Sequence, residues 1–173
     1  MKPFYFLLIF IVSVGVSCGE ISNKERIANA PGPNDSVFAV QNGPFHFSMK
    51  LPKRMVEENM PIILFKENTG DLVISVGESI HLKISQQIKD LRVLANDVMS
   101  LNSDVYTFEK VEQSGDEFIY KQSLPDSTFG SYHYKAMISN TDLPYFIETV
   151  ESRSYTKADI DVIRKIAQSL APL

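Results

Sequence analysis

Tryptophan is absent from this 173-residue sequence, cysteine occurs once and histidine three times. Each shortage removes a class of explanation. A single cysteine cannot close an internal disulfide, so the folded part must be held by an apolar core. His46, His81 and His133 stand far apart in sequence with no His-x₃-His or Cys-x₂-Cys spacing, so no metal site is expected and no cofactor is implied. The eight glycines never form a Gly-x-Gly phosphate loop, and none of the many serines reads as an activated nucleophile. Basic residues are also few: 17 Lys and Arg face 21 Asp and Glu, a net charge of −4. That balance argues against nucleic acid as a partner and against attraction to an anionic membrane surface.

What is present begins with an apolar run, Phe4 to Val16, behind the single charge of Lys2. It has the length of a signal-peptide core and is too short to span a bilayer comfortably. The run stops at Gly15-Val16-Ser17-Cys18, small residues that resemble the lipobox of bacterial lipoproteins, with Gly15 where a leucine is usual. The resemblance implies that residues 1–17 are a signal peptide and that Cys18 is the first mature residue and the site of lipid attachment. Gly15 and Ser17 also satisfy the small-x-small rule of ordinary secretory cleavage, which would leave Cys18 a free thiol. With acylation, the lipid bilayer becomes a partner, since each buried CH₂ contributes about 0.8 kcal/mol. Residues 18–36 are polar and broken by Ala30-Pro31-Gly32-Pro33, a composition that reads as a flexible tether.

From Val37 the pattern takes a strand period. Val37 to Gln41 and Phe45 to Leu51 flank Asn42-Gly43-Pro44, and Pro61 to Lys66 and Asp71 to Glu78 flank Glu67-Asn68-Thr69-Gly70, which gives two hairpins. Between them, Pro52 to Met60 fits a loop or one helical turn. Ser85 to Leu101 reads as an amphipathic helix capped by Ser85, with Ile88, Leu91, Ala95 and Val98 along its apolar stripe. Strand signals return in Val105 to Val111, Glu117 to Leu124, Phe129 to Ile138 and Tyr145 to Glu151 at hairpin spacing. A second helix follows, with Thr156 as cap, Asp159 three residues on, and Ile160, Ile163, Ile166, Ala167 and Leu170 on one face. The expectation is a single α+β domain over 37–173: an antiparallel sheet of about seven or eight strands with two packed helices, ordered ββββ-α-ββββ-α.

Three segments carry a family resemblance: Phe45-His46-Phe47-Ser48-Met49-Lys50-Leu51-Pro52, Gly115-Asp116-Glu117-Phe118-Ile119-Tyr120 and the closing Ile163 to Leu170. Together they resemble the Mog1/PsbP-like proteins, small α+β domains with helices packed on an antiparallel sheet. The resemblance implies a fold and no reaction, because members of that family have unrelated roles.

Chemistry has little local support. The adjacent carboxylates Glu57-Glu58 and Asp116-Glu117 are read as solvated loop charge, since neighbours along a chain point apart. Tyr132-His133-Tyr134 on a strand puts both tyrosines on one face and His133 on the other, either as a ligand platform or as filling for the layer beneath a helix. Met55 and Met60 are adaptable surface residues or a lid over the edge of the core. The reading is a monomeric, non-enzymatic lipoprotein of the bacterial cell envelope, with a binding or accessory domain for a protein or small molecule. The alternatives are an enzyme whose site is assembled from distant residues, and a surface lipoprotein that binds external host proteins.

Overall fold

The computed structural model describes residues 24–25, 37–139, 141 and 143–173. The leader and Cys18 lie outside the described residues, as does all of the expected tether except Lys24 and Glu25.

The elements are β1 (Lys24–Glu25), β2 (Val37–Asn42), β3 (Phe45–Lys50), α1 (Lys53–Glu57), β4 (Ile62–Lys66), β5 (Leu72–Val76), β6 (Ile80–Ser85), α2 (Leu91–Ser100), β7 (Thr107–Gln113), β8 (Glu117–Ser123), β9 (Gly130–Ile138), β10 (Tyr145–Thr149) and α3 (Lys157–Gln168). An antiparallel sheet runs in the order β1-β4-β5-β6-β10-β9-β8-β7, and β2 and β3 form a separate hairpin. The protein is α+β.

The hairpin forms where expected because Gly43, at φ +56°, supplies the left-handed conformation of a two-residue loop. Phe45, Phe47 and Met49 then face the core while His46 and Lys50 face water. Three expectations change. Ile80-His81-Leu82-Lys83-Ile84-Ser85 is a strand, β6, so Ser85 ends a strand instead of capping a helix. The helix starts later because Asp90 is the better cap: its Oδ1 accepts from the backbone N–H of Arg92 at 2.8 Å and of Val93 at 3.4 Å. Ile88 therefore precedes the helix and is 80% exposed, while Leu91, Ala95 and Val98 remain its buried stripe. The third change falls within the tether: Lys24 and Glu25 pair with Phe65 and Leu64, using ladder groups that the outer edge of β4 would otherwise leave open.

Both faces of the sheet are covered, unequally. Alternation along β9 sends Tyr132, Tyr134, Ala136 and Ile138 to one face and His133 and Lys135 to the other. On the first face lie α3 and the β2–β3 hairpin, with Ile160, Ile163, Ile166, Ala167 and Leu170 packed among Phe38, Phe47, Ile74, Leu82, Tyr134 and Ile147. The capping box of α3 is formed, Thr156 Oγ1 accepting from Asp159 N–H and the Asp159 carboxylate accepting from Thr156 N–H. The chain then returns to β3, where Ser48 and Ala171 exchange backbone hydrogen bonds of 2.8 and 3.0 Å. On the second face α2 packs through Ala95 and Val98 onto Phe118 and Tyr120 of β8.

Candidate functional site

The second face of the sheet does not close completely. Beyond Glu148, which pairs with Lys135, the β9–β10 ladder stops. Thr149 instead offers its side chain to β9, its Oγ1 accepting from Tyr134 N–H at 3.1 Å. The chain then loops out through Val150 to Ser154 and rejoins β9 where Tyr132 N–H donates to the carbonyl of Tyr155 at 2.9 Å. Tyr155 pins the loop, its hydroxyl donating to the carbonyls of His81 and Val150 at 3.1 and 3.3 Å. Between this loop and the β8–β9 turn lies an open cleft of about 480 Å³, within the size range of small-molecule sites.

His133 lines the cleft and is 1% exposed. Tyr120, directly opposite on β8, stacks on its ring at 5.0 Å between centroids, and Tyr155 meets it edge-on at 6.0 Å. Nδ1 lies 3.4 Å from Thr149 Oγ1. Nε2 is buried with no hydrogen-bond partner, the exception among the buried side-chain polar atoms of the described residues. An unsatisfied buried group of this kind costs stability, which is why such groups concentrate at functional positions. Burial pushes the imidazole down from 6.5 to about 4, the positive charge of Lys135 acting in the same sense and Glu151 opposing it, so the ring is neutral near pH 7.

Beside His133 runs a chain of alternating charge. Lys83 Nζ lies 2.7 Å from Glu148, Glu148 lies 2.7 Å from the buried Lys135, and Lys135 reaches Glu151 at 3.2 Å. Burial alone would raise the Glu148 carboxyl, but the charge of Lys135 and the hydrogen bonds from both lysines outweigh it and hold the group below its ordinary range. Burial, with the nearby Glu151 and Glu148 charges, pushes the Tyr120 phenol far up.

The rim has a different character. Phe129 is 85% exposed, and Leu124 and Tyr106 are exposed beside it. Gly130 lets this end of β9 lie close to β8, since a Cβ there would stand 2.7 Å from the carbonyl oxygen of Gln122. Arg153 and several serines, among them Ser152 and Ser154, complete the lining.

The residues singled out in the sequence fare differently. Tyr132 and Tyr134 fill the layer under α3, and the Tyr134 hydroxyl donates to Glu117 at 3.0 Å; it is His133 between them that reaches the cleft. His81 is buried and satisfied, within 2.8 Å of Ser75 Oγ and 2.9 Å of the Glu78 carbonyl. His46 bonds the carbonyl of Gly43 in its own turn. Glu57 and Glu58 make surface pairs with Lys53 and Arg54. Asp116 is exposed, but Glu117 is no solvated loop charge: it is buried, held by Arg164, Gln168 and Tyr134. Met55 and Met60 pack on the core edge, with Met60 lying over Gly77.

Two serine spacings known from nucleophilic enzymes do occur in the chain. Gly15-Val16-Ser17-Cys18-Gly19 lies outside the described residues. Ser154-Tyr155-Thr156-Lys157 begins in the cleft, but it straddles the α3 cap and Lys157 is drawn away to Asp161 at 2.7 Å. Among the described residues no group of three His, Cys, Asp or Glu side chains could hold a metal ion, and no helix is long and apolar enough to cross a membrane. Sequence reading did not find Arg153, which lines the cleft from the loop after β10, or Tyr120, Thr149 and Tyr155, which surround His133. Their signal is the strand register, which spacing along the chain does not carry.

No family model matches this chain, and no solved structure matches it significantly. The mouse protein described as TOG array regulator of axonemal microtubules protein 1 is 25% identical over 107 residues. That segment is 62% of this chain, and the chain spans 6% of the length of the mouse protein.

Proposed function

We propose that this chain is a lipid-anchored protein of the bacterial cell envelope, its domain a Mog1/PsbP-like binding or accessory module with a small-molecule cleft. The cleft over His133 carries the binding part of this reading: a cavity of ligand size, with an apolar rim and a buried polar atom left without a partner. The anchor rests on the residues around Cys18. The microtubule role in the mouse protein's name is no part of the proposal, because the shared segment is too small a share of that protein.

The cleft also favours a second reading, an enzyme assembled from distant residues, since a histidine shifted by burial beside a charge chain is the kind of group catalysts use. Against it, the hydroxyl in hydrogen-bond reach of His133 belongs to the buried Thr149, already engaged with the backbone of β9.

The test is photo-crosslinking of the full chain in its native membrane, with the reactive residue at Phe129 or, on the opposite side of the sheet, at Lys165. Capture confined to position 129 supports the cleft as the working surface, whether the captured species is a small molecule, an envelope protein or a host protein. Capture confined to position 165 overturns it. Labelling with a fatty-acid analogue, with Cys18→Ser as control, tests the anchor separately: unlabelled wild-type protein would remove it.

A further inference from the structure

We infer that the cleft takes an amphipathic organic carboxylate, its head held by His133 Nε2–H and the Arg153 guanidinium and its apolar body resting on Phe129, Leu124 and Tyr106. The inference rests on the ligand-binding reading above and names the ligand class.

The tautomer of His133 comes first. Thr149 is buried, and its Oγ1 already accepts from Tyr134 N–H at 3.1 Å, so its own hydroxyl proton needs an acceptor. The group in reach is His133 Nδ1 at 3.4 Å. With Nδ1 accepting, the neutral ring carries its proton on Nε2, and the unpartnered atom is a donor that calls for an oxygen acceptor, which reaches it only as the side chains now covering it move aside.

Charge comes second. Glu151 lines the cleft and is largely exposed, and Glu148 is buried beside it; both carboxylates are taken, Glu148 by Lys83 and Lys135 and Glu151 by Lys135, so two lysines and two glutamates cancel. Arg153 remains, with no ion pair or side-chain hydrogen bond among the described residues. One free planar guanidinium and one neutral N–H donor suit a single carboxylate, which a guanidinium can grip with two parallel bonds. A phosphate dianion would call for more positive charge than the cleft offers.

The rim comes third. Phe129 at 85% exposed, with Leu124 and Tyr106, is apolar surface held open at the mouth of a cleft whose interior is polar. A ligand with an acidic head and an aryl or alkyl body covers both at once, whereas a free inorganic anion leaves the rim bare.

The test is an NMR titration of the isotope-labelled full chain with phenylacetate, its neutral isostere phenylacetamide, and inorganic phosphate. Phenylacetate is expected to shift the amides of Ser152, Arg153 and Ser154 and the ring nitrogens of His133, and phenylacetamide to bind about tenfold more weakly, as loss of a charge-assisted bidentate contact predicts. Arg153→Gln, an exposed loop change that leaves the core intact, is expected to weaken phenylacetate by about tenfold too, and Lys165→Gln to leave it unchanged. His133→Phe keeps the ring stack on Tyr120 and removes the donor, with the same expected loss. If phenylacetamide or phosphate binds the cleft as well as phenylacetate does, the carboxylate class is wrong and the binding site stands. If none of the three shifts the cleft resonances, the inference falls and the small-molecule cleft goes with it.

Discussion

The two faces of the sheet differ in what holds them. The face under α3 and the hairpin is sealed by a continuous apolar layer in which Ile160, Ile163, Ile166 and Leu170 are almost wholly inaccessible. The face under α2 has a small cluster around Ala95, Val98, Phe118 and Tyr120, with Lys89 over the ring of Phe146 at 4.2 Å, and gives the remainder to charge and to the cleft. The difference assigns work. Apolar burial is non-directional and tolerant, so one face can carry stability. Polar groups in low dielectric are costly and directional, so the other face holds the groups that need fixed geometry.

The largest effect should come from spoiling the sealed face. Ile163→Asp places an unpaired carboxylate in the core and is expected to cost about 4 kcal/mol, read by chemical denaturation. Next is Glu148→Gln, which leaves the buried Lys135 short of its nearest counter-charge; about 3 kcal/mol is expected, part of it recovered by adding Lys135→Met. A loss equal to that of an exposed pair would mean that this face is wetter than described.

The third effect is a pH dependence. The folded-state value of His133 lies near 4 and its ordinary value is 6.5, so between these the unfolded chain binds the proton that the fold refuses. Stability is therefore full above pH 6.5 and falls as the pH drops towards 4, by on the order of 2 to 3 kcal/mol. His133→Phe should flatten that stretch of the stability curve. The lowered carboxyls of Glu117 and Glu148 act in the same direction, but only as the pH falls below their ordinary 4.5.

Smaller again is Val98→Ala on the α2 face, expected at about 1 kcal/mol because the residue sits at the margin of a small cluster. Lys165→Gln on the wet side of α3 should leave the denaturation midpoint close to wild type. Equal midpoints for Val98→Ala and Lys165→Gln would show that α2 is hardly docked at all.

The α3 side of this comparison was legible in the sequence and the other side was not. Thr156, Asp159 and the isoleucine stripe state a cap and a face within a dozen residues, so local pattern suffices. β6 carries a local sign as well, the alternation of Ile80, Leu82 and Ile84, but no strand is expected there, between a strand ending at Glu78 and a helix beginning at Ser85; the stronger cap, Asp90, lies five residues on. The cleft had no such local sign. Tyr120 and Thr149 meet His133, and Arg153 shares its cleft, because β8, β9 and β10 pair in one register and because the β9–β10 ladder ends at Glu148, and a ladder's end is decided by pairing across strands. Within Tyr132-His133-Tyr134, alternation separated the faces correctly but gave no means of telling which face would stay open.

The bridge between Ser48 and Ala171 joins positions 123 apart, and it fastens the first hairpin to the stretch beyond the last helix. Contacts of such separation are slow to form, because much of the entropy of closing the loop is spent before any packing offsets it. The sealed face is therefore a late event. Until the residues after α3 have been made and brought back to β3, the layer that Phe45, Phe47 and Met49 enter lacks its last fastening, and a chain interrupted before Ala171 holds the hairpin by side-chain packing alone.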